Sequence, residues 1–380
     1  MAPPYRADHV GSLLRPPEVL EARKALDERR ITREQFNAIA DKAILKALDL
    51  QRDVGIDVYT DGEYRRSWWA GAWADALDGL VPDPEPAVTP FRGPGWQGPG
   101  AESAREVLAE VFKPAVVGAK LGLARRLNGD ESAFLKRHAP GPWKITMAGV
   151  ASRGAAQFRP GITEPFYATP EDLNRELAGF MRREIAGLVA EGCSYVQVDS
   201  LRYTYWMGPR LQQLIDSGAD YLKDLGDQIA LDNLSIEGVR GTPGVTVGLH
   251  ICRGNNRSSW ATEGAYDPVA EMLFTQMNVD RFLLEYDDSR SGSFEPLRFV
   301  PRDKMVVLGL ISSKVAELEA EDALLRRINE ASKYVALENL AISPQCGFAS
   351  TAPGNLLTWD DQRRKLELVV KVARKVWGQV

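Results

Sequence analysis

Eight short apolar runs recur along this chain, each followed at once by small or polar residues. They lie at residues 7–10, 55–59, 144–147, 195–198, 245–249, 282–284, 305–310 and 340–342, and most are separated by stretches of helical periodicity. Apolar runs of this length suit strands buried on both faces, and strands alternating with helices build a parallel sheet. Eight such units predict an α/β fold of one kind, a single (β/α)8 TIM barrel, with residues 1–380 as one domain.

The helical signals agree with that frame. Thr32 and Gln35 have the spacing of a capping box, and Phe36, Ile39, Ala40, Ala43 and Ala47 follow at helical intervals. Thr169 and Pro170 mark another helix start, and periodicity predicts a last helix over 359–377. One segment breaks the rhythm, a long excursion over 64–143 between the second and third strands. Its Pro/Gly-rich part, 81–100, is too irregular for a helix, and 105–121 fits a helix and a β-extension equally. An insertion that long is a candidate for controlling access to a site or for pairing two copies as a homo-oligomer.

Composition narrows the function classes. Hydrophobic residues make up 44% and charged residues 26%, enough for a large core, and the net charge of −5 comes from acids and bases spread throughout. No nucleic-acid partner and no membrane partner is expected from such a balance. No apolar run reaches membrane-spanning length, and the start, Met1-Ala2-Pro3-Pro4-Tyr5-Arg6, lacks the apolar core of a signal peptide. Three cysteines cannot pair evenly, which predicts a cytoplasmic protein using thiols for metal binding or leaving them free.

Active sites of such barrels sit at the C-terminal strand ends. Ser12, Asp61, Glu63, Asp199, His250, Cys252, Glu285 and Cys346 all fall there. His250 and Cys252 are two apart, so on an extended strand end they point the same way. With Glu285 and Cys346 they supply N, S, O and S donors, a set that suits one Zn2+. Cys193 falls at the opposite rim and reads as structural; His138, within Lys136-Arg137-His138, reads as an exposed loop residue. Trp68, Trp69, Trp73, Tyr203, Tyr205 and Trp206 cluster near the rim, where they could wall an apolar site, although Trp69 and Trp73 have the spacing of helix packing. Arg15, Arg65, Arg66, Arg202, Arg253 and Arg257 are candidates for binding an anion.

Those strings resemble the cobalamin-independent methionine synthase superfamily in its short, single-barrel form. The resemblance runs from His9-Val10-Gly11-Ser12 to the last helix and is most specific at His250–Cys252, Leu284-Glu285-Tyr286-Asp287 and Ser343-Pro344-Gln345-Cys346-Gly347-Phe348. It implies zinc on His250, Cys252, Glu285 and Cys346, and an amino-acid thiol held by Ser12, Glu63 and Asp199, the two acids being the catalytic candidates. Departures fall on the methyl-donor side. Leu310-Ile311-Ser312-Ser313-Lys314 lacks the histidine of the family's Asp-Ile-His-Ser-Pro string, residues 149–157 lack its tryptophan, and Asp199-Ser200-Leu201 replaces Asp-Glu-Pro. The expected activity is zinc-dependent alkyl transfer, methyl first, to a thiol such as homocysteine. The donor would be a small molecule or a methylated corrinoid protein, ahead of methyl-folate. Two alternatives are a ring opening like that of epoxyalkane:coenzyme M transferase and a non-catalytic, zinc-stabilised binding protein.

Overall fold

The computed structural model describes residues 5–86, 96–152 and 157–378. Strands β1 (Leu77–Pro82) and β2 (Ala115–Leu123) pair antiparallel as a separate ribbon. Six more, β3 (Lys144–Ala148), β4 (Tyr195–Ser200), β5 (Thr246–Ile251), β6 (Arg281–Glu285), β7 (Met305–Ile311) and β8 (Leu340–Pro344), form one parallel sheet in chain order. All of their residues are buried except Met305 at the start of β7, as apolar runs covered on both faces should be.

The first two expected strands are not full strands. Ala7 makes a single parallel bridge to Ile342 in β8, and Tyr59 makes one to Trp143 beside β3. The Asp57 N–H donates to the Ala7 carbonyl at 3.1 Å, and the Asp57 carboxylate accepts the Ala7 N–H at 2.8 Å. A side chain thus takes the place of a ladder bond, so these segments register as bridges. They nevertheless link β8 back to β3, the closure that a β/α barrel requires. Inside the ring, Tyr5, Val58, Tyr195, Leu283, Val307 and Ala341 form their own small apolar cluster. Beside it Lys144 donates to the Asp8 carboxylate at 2.8 Å and to Gln197 at 2.9 Å.

The helices are α1 (Pro17–Asp27), α2 (Arg33–Val54), α3 (Gly71–Ala76), α4 (Ala101–Val111), α5 (Gly129–His138), α6 (Pro170–Glu191), α7 (Gly208–Asp216), α8 (Tyr221–Ser235), α9 (Asp267–Gln276), α10 (Glu321–Ala331) and α11 (Trp359–Trp377). The Thr32–Gln35 capping box, the Thr169 cap with Pro170 behind it, and the 359–377 helix all form as expected. The ambiguous 105–121 stretch is both things in turn. Helix α4 ends before Pro114, which cannot extend it, and β2 begins at Ala115. Of the Pro/Gly-rich stretch, residues 87–95 lie outside the described residues. His138 is exposed as expected, but it ends α5 and stacks on Phe134 at 4.4 Å, so it is not a loop residue. No helix among the described residues is long and apolar enough to cross a membrane.

Candidate metal centre and adjoining cavity

Strand register brings the four candidate ligands together. Asp199 of β4 stands beside His250 of β5, and His250 beside Leu283 of β6. Glu285 closes β6, Cys252 follows β5, and Cys346 lies two residues beyond β8. The donor atoms of His250, Cys252, Glu285 and Cys346 all lie within 4.8 Å of one another, and all four residues are buried.

His250 and Glu285 are each anchored by the atom they do not offer. His250 Nδ1 meets the Leu283 carbonyl at 3.2 Å, which assigns the proton there, while Nε2 is buried without a hydrogen-bond partner. Glu285 Oε1 accepts the Arg253 N–H at 2.8 Å, while Oε2 is buried and unpaired. Cys252 Sγ accepts the Gly254 N–H at 3.3 Å. Two orphaned donors and two sulfurs converging on one point would be costly with nothing between them. The Sγ–Sγ separation is 3.4 Å. Metal–ligand bonds of roughly 2.0–2.3 Å give tetrahedral edges of roughly 3.3–3.8 Å, so a zinc ion fits this donor set.

The electrostatics are those of a cation site. Burial alone would push the His250 pKa down, but the Cys346 sulfur overcomes it and raises it to about 9. Within the thiol pair, hydrogen bonding between the sulfurs holds Cys346 well below the usual thiol range and Cys252 well above it. Burial raises the Glu285 carboxyl, with Lys314 opposing. Lys314 is itself buried, donating to Asn255 at 3.2 Å. Cys193 lies apart, its thiol donating to the Tyr195 carbonyl at 3.2 Å, and burial pushes it up to about 12.

A cavity of about 500 Å3 opens from the cluster, lined by His250, Cys252 and Cys346 together with Ser12, Glu63 and Asp199. The Thr60-Asp61-Gly62-Glu63 turn explains how Glu63 gets there. The Asp61 carboxylate accepts the Glu63 N–H at 2.9 Å, and Gly62 (φ 68) and Glu63 (φ 60) are both left-handed. That backbone costs a non-glycine residue roughly 1–2 kcal/mol and is typical of a side chain placed for function. Asp61 therefore builds the turn and does not line the cavity. Thr146 donates to Glu63 Oε1 at 2.8 Å, while Oε2 accepts no hydrogen bond and has Arg66 at 3.9 Å; burial raises this carboxyl. Gln197, two residues before Asp199 on the same face of β4, donates to it at 2.7 Å. Burial raises Asp199 to about 7, with His250 opposing and Glu63 adding to the rise. Ser12 accepts the Ala349 N–H at 3.3 Å, and a Cβ on Gly347 would fall 1.9 Å from the Ser12 hydroxyl, so only glycine fits there.

Of the six arginines proposed as anion binders, only Arg202 lines the cavity. Arg15 donates to the carbonyls of Glu63, Ala349 and Thr351. Arg65 and Arg66 pair with Asp41 and Glu131, Arg253 bonds Tyr266 and Gly264, and Arg257 reaches the Pro353 and Gly354 carbonyls. Arg159 and Arg210, passed over in the sequence, line the cavity instead. Among the aromatics, Trp68, Trp69 and Tyr205 line it, whereas Trp73 and Trp206 are buried and the Tyr203 hydroxyl donates to Asp232 at 2.7 Å. Trp69 escapes helix packing because α3 begins only at Gly71.

The chain belongs to the family described as the cobalamin-independent synthase catalytic domain, whose model matches residues 7–114 and 166–375. It is 37% identical to the Bacillus subtilis (strain 168) protein named Uncharacterized protein YxjH, over 98% of this chain and 95% of that one. It is 24% identical to the methionine synthase of Sulfurisphaera tokodaii, covering 89% of this chain and 84% of that one. Among solved structures, a Listeria monocytogenes protein described as a candidate vitamin-B12-independent methionine synthase superposes with a TM-score of 0.71 at 27% identity, over 100% of both chains.

Proposed function

We propose that this chain is a zinc-dependent S-alkyltransferase that methylates an amino-acid thiol, with homocysteine the acceptor and methionine the product. The observation that carries the reading is the convergence of the orphaned His250 Nε2 and Glu285 Oε2 with two sulfurs at the floor of a cavity that Glu63 and Asp199 also line. Zinc bound by His250, Cys252, Glu285 and Cys346 would lower the pKa of the acceptor thiol and so supply thiolate at neutral pH. Two thiolates and a carboxylate already exceed the charge of the dication, so a further sulfur held there would stay nucleophilic.

In this reading Glu63 and Asp199, which line the cavity with Ser12, would hold the substrate ammonium through charge-assisted hydrogen bonds. The thiolate sulfur then attacks the donor's alkyl carbon; the S–C bond forms as the donor's bond to that carbon breaks, and the leaving group keeps the electron pair. Two acids beside the sulfur position favour an ammonium-bearing thiol over one bearing a sulfonate, which places homocysteine ahead of coenzyme M. Trp68, Trp69, Trp96, Leu108 and Phe112, all from the 64–143 segment, line the same cavity, which supports a reading of that segment as the donor-side wall.

The test is zinc-edge X-ray absorption with and without homocysteine. The expected result is a gain of one sulfur neighbour and loss of one nitrogen or oxygen neighbour. An unchanged spectrum would remove homocysteine as the acceptor. A second expectation concerns pH. Below about 7 Asp199 keeps its proton and cannot pair with an ammonium group. Methionine, which has no thiol to titrate, should therefore bind about tenfold more weakly per pH unit below that point. Asp199→Asn should flatten this dependence in calorimetric titrations; a wild-type affinity independent of pH between 5 and 8 would count against the ammonium contact.

A further inference from the structure

The cavity wall carries two cations that form no close ion pair with any described residue, although Asp224 lies near enough to Arg202 to act on its charge. Arg202 follows β4 in the Arg202–Trp206 turn, and Arg210 lies in the first turn of α7. Their guanidinium carbons stand over the same Tyr205 ring, at 4.6 Å and 4.0 Å from its centre. All three residues line the cavity that reaches His250 and Cys346. The contrast with Arg159 is informative. That residue also lines the cavity, but Asp83 answers it at 2.6 Å. Among the described residues no carboxylate lies within 4 Å of Arg202 or Arg210, and Arg210 Nε is buried without a hydrogen-bond partner. Two guanidinium groups sharing one ring repel each other, and the cation–π contacts, worth about 0.5–2 kcal/mol each, only partly offset that. An anion accepting from both would relieve it, since paired guanidinium donors match the geometry of carboxylate and phosphate groups.

We propose that Arg202 and Arg210 form an anion subsite, and that the alkyl donor carries a carboxylate or phosphate group held there while its apolar part packs against Trp68, Trp69, Trp96 and Phe112. The location rests on the alkyltransferase reading, because it is the zinc-bound thiol that makes the other end of the cavity the acceptor end. Anion binding itself is testable without that reading. A donor of this kind differs in class from a corrinoid protein, whose methyl group would be delivered by a macromolecule and which would have no need of a paired guanidinium site inside the cavity.

The experiment uses zinc-loaded protein and three single-ring aromatic probes: phenyl phosphate, benzoate and benzyl alcohol. Binding is followed by tryptophan fluorescence, since three tryptophans line the cavity. We expect at least one anionic probe to bind about tenfold or more tightly than benzyl alcohol, with that advantage lost in Arg202→Gln/Arg210→Gln. Arg210→Gln alone, on the partly exposed first turn of α7, should lose part of it and guards against misfolding of the double variant. Whichever anion binds tighter distinguishes a phosphate-bearing from a carboxylate-bearing donor. Equal affinity for charged and neutral probes, or an unchanged preference in both variants, would overturn the subsite. The homocysteine-induced change at the zinc edge should be the same in wild type and variants. If that change is absent while the anion preference holds, the acceptor assignment fails and the anion subsite stands.

Discussion

Serine in place of Cys346 should strip most of the zinc from a protein that remains folded. Cys346 supplies one of two sulfurs, and serine offers a hydroxyl that is a far weaker ligand at neutral pH. Loss of even an outer hydrogen-bond partner of a zinc ligand costs about 10–100-fold in metal affinity, so loss of a thiolate should exceed 100-fold. The fold should survive because the backbone around Cys346 is held without its sulfur. Gln345 N–H donates to the Ile311 carbonyl at 2.8 Å and Phe348 N–H to the Ser12 carbonyl at 2.9 Å. Zinc stoichiometry by atomic absorption under buffered free metal is the direct readout, with circular dichroism as the check on folding. Cys193→Ser is the internal control, since that thiol meets a strand carbonyl far from the cluster in sequence, and it should keep its zinc. Glu285→Gln should fall between the two, because its single amide oxygen can reach the metal or accept the Arg253 N–H, whereas the two carboxylate oxygens do both. Full zinc occupancy in Cys346→Ser would remove Cys346 from the ligand set and would weaken the assignment of the other three.

The site's inner half was readable because strand physics carries it. A residue that follows an apolar run in a parallel sheet emerges at a C-terminal strand end, and His250 and Cys252 share a face through the two-residue period of a strand. The helix starts at 33 and 170 were equally plain from their caps, and the one at 359 from its periodicity. What stayed hidden depends on loop folding and on side chains far apart in sequence. The first two barrel positions carry apolar runs, yet the Asp57 carboxylate takes the Ala7 N–H that a ladder would use. Arg15 and Arg253 look like rim cations on paper, yet Arg15 donates to backbone carbonyls and Arg253 to the Tyr266 hydroxyl and the Gly264 carbonyl. Arg210 looks like an ordinary surface residue, yet it lies in the first turn of α7 and lines the cavity. Thr146 and Gln197, which hold Glu63 and Asp199, could have been suspected from one signal only, as polar residues within apolar strand runs.

Arg66→Met is expected to destabilise the protein by about 3–5 kcal/mol and to loosen the cavity wall around Glu63 at the same time. Arg66 is buried and spends nearly every donor. Nε and one terminal nitrogen form a bidentate pair with Glu131 at 2.8 Å and 2.7 Å, and the terminal nitrogens also reach the Thr146 hydroxyl at 3.1 Å and carbonyl at 2.8 Å. Glu63 Oε2 lies 3.9 Å away. Removing the guanidinium strands Glu131 in a buried site, and Glu131 is the group most dependent on it. Burial would raise that carboxyl, and Arg66 more than reverses the effect, holding it below the ordinary value. A depressed folded pKa contributes stability that is present above the unfolded value near 4.5 and lost as pH falls through the folded one. In the variant the widowed Glu131, raised by burial, takes up its proton as pH falls and ceases to cost stability, so the gap from wild type should already be smaller at pH 4.5 and close further below it, where the wild type loses its own contribution. Urea unfolding of zinc-loaded protein at pH 7 and pH 4.5 measures both numbers. Arg66→Met/Glu131→Leu should recover much of the loss, because a buried pair replaced whole by apolar groups is often near neutral, whereas a widowed charge is not. In the same single variant Glu63 loses its nearest cation and should hold its proton to higher pH, weakening methionine binding while zinc content stays unchanged. A loss below about 1 kcal/mol in Arg66→Met, within the range of an exposed ion pair, would show that Glu131 and Glu63 are held by something other than this guanidinium.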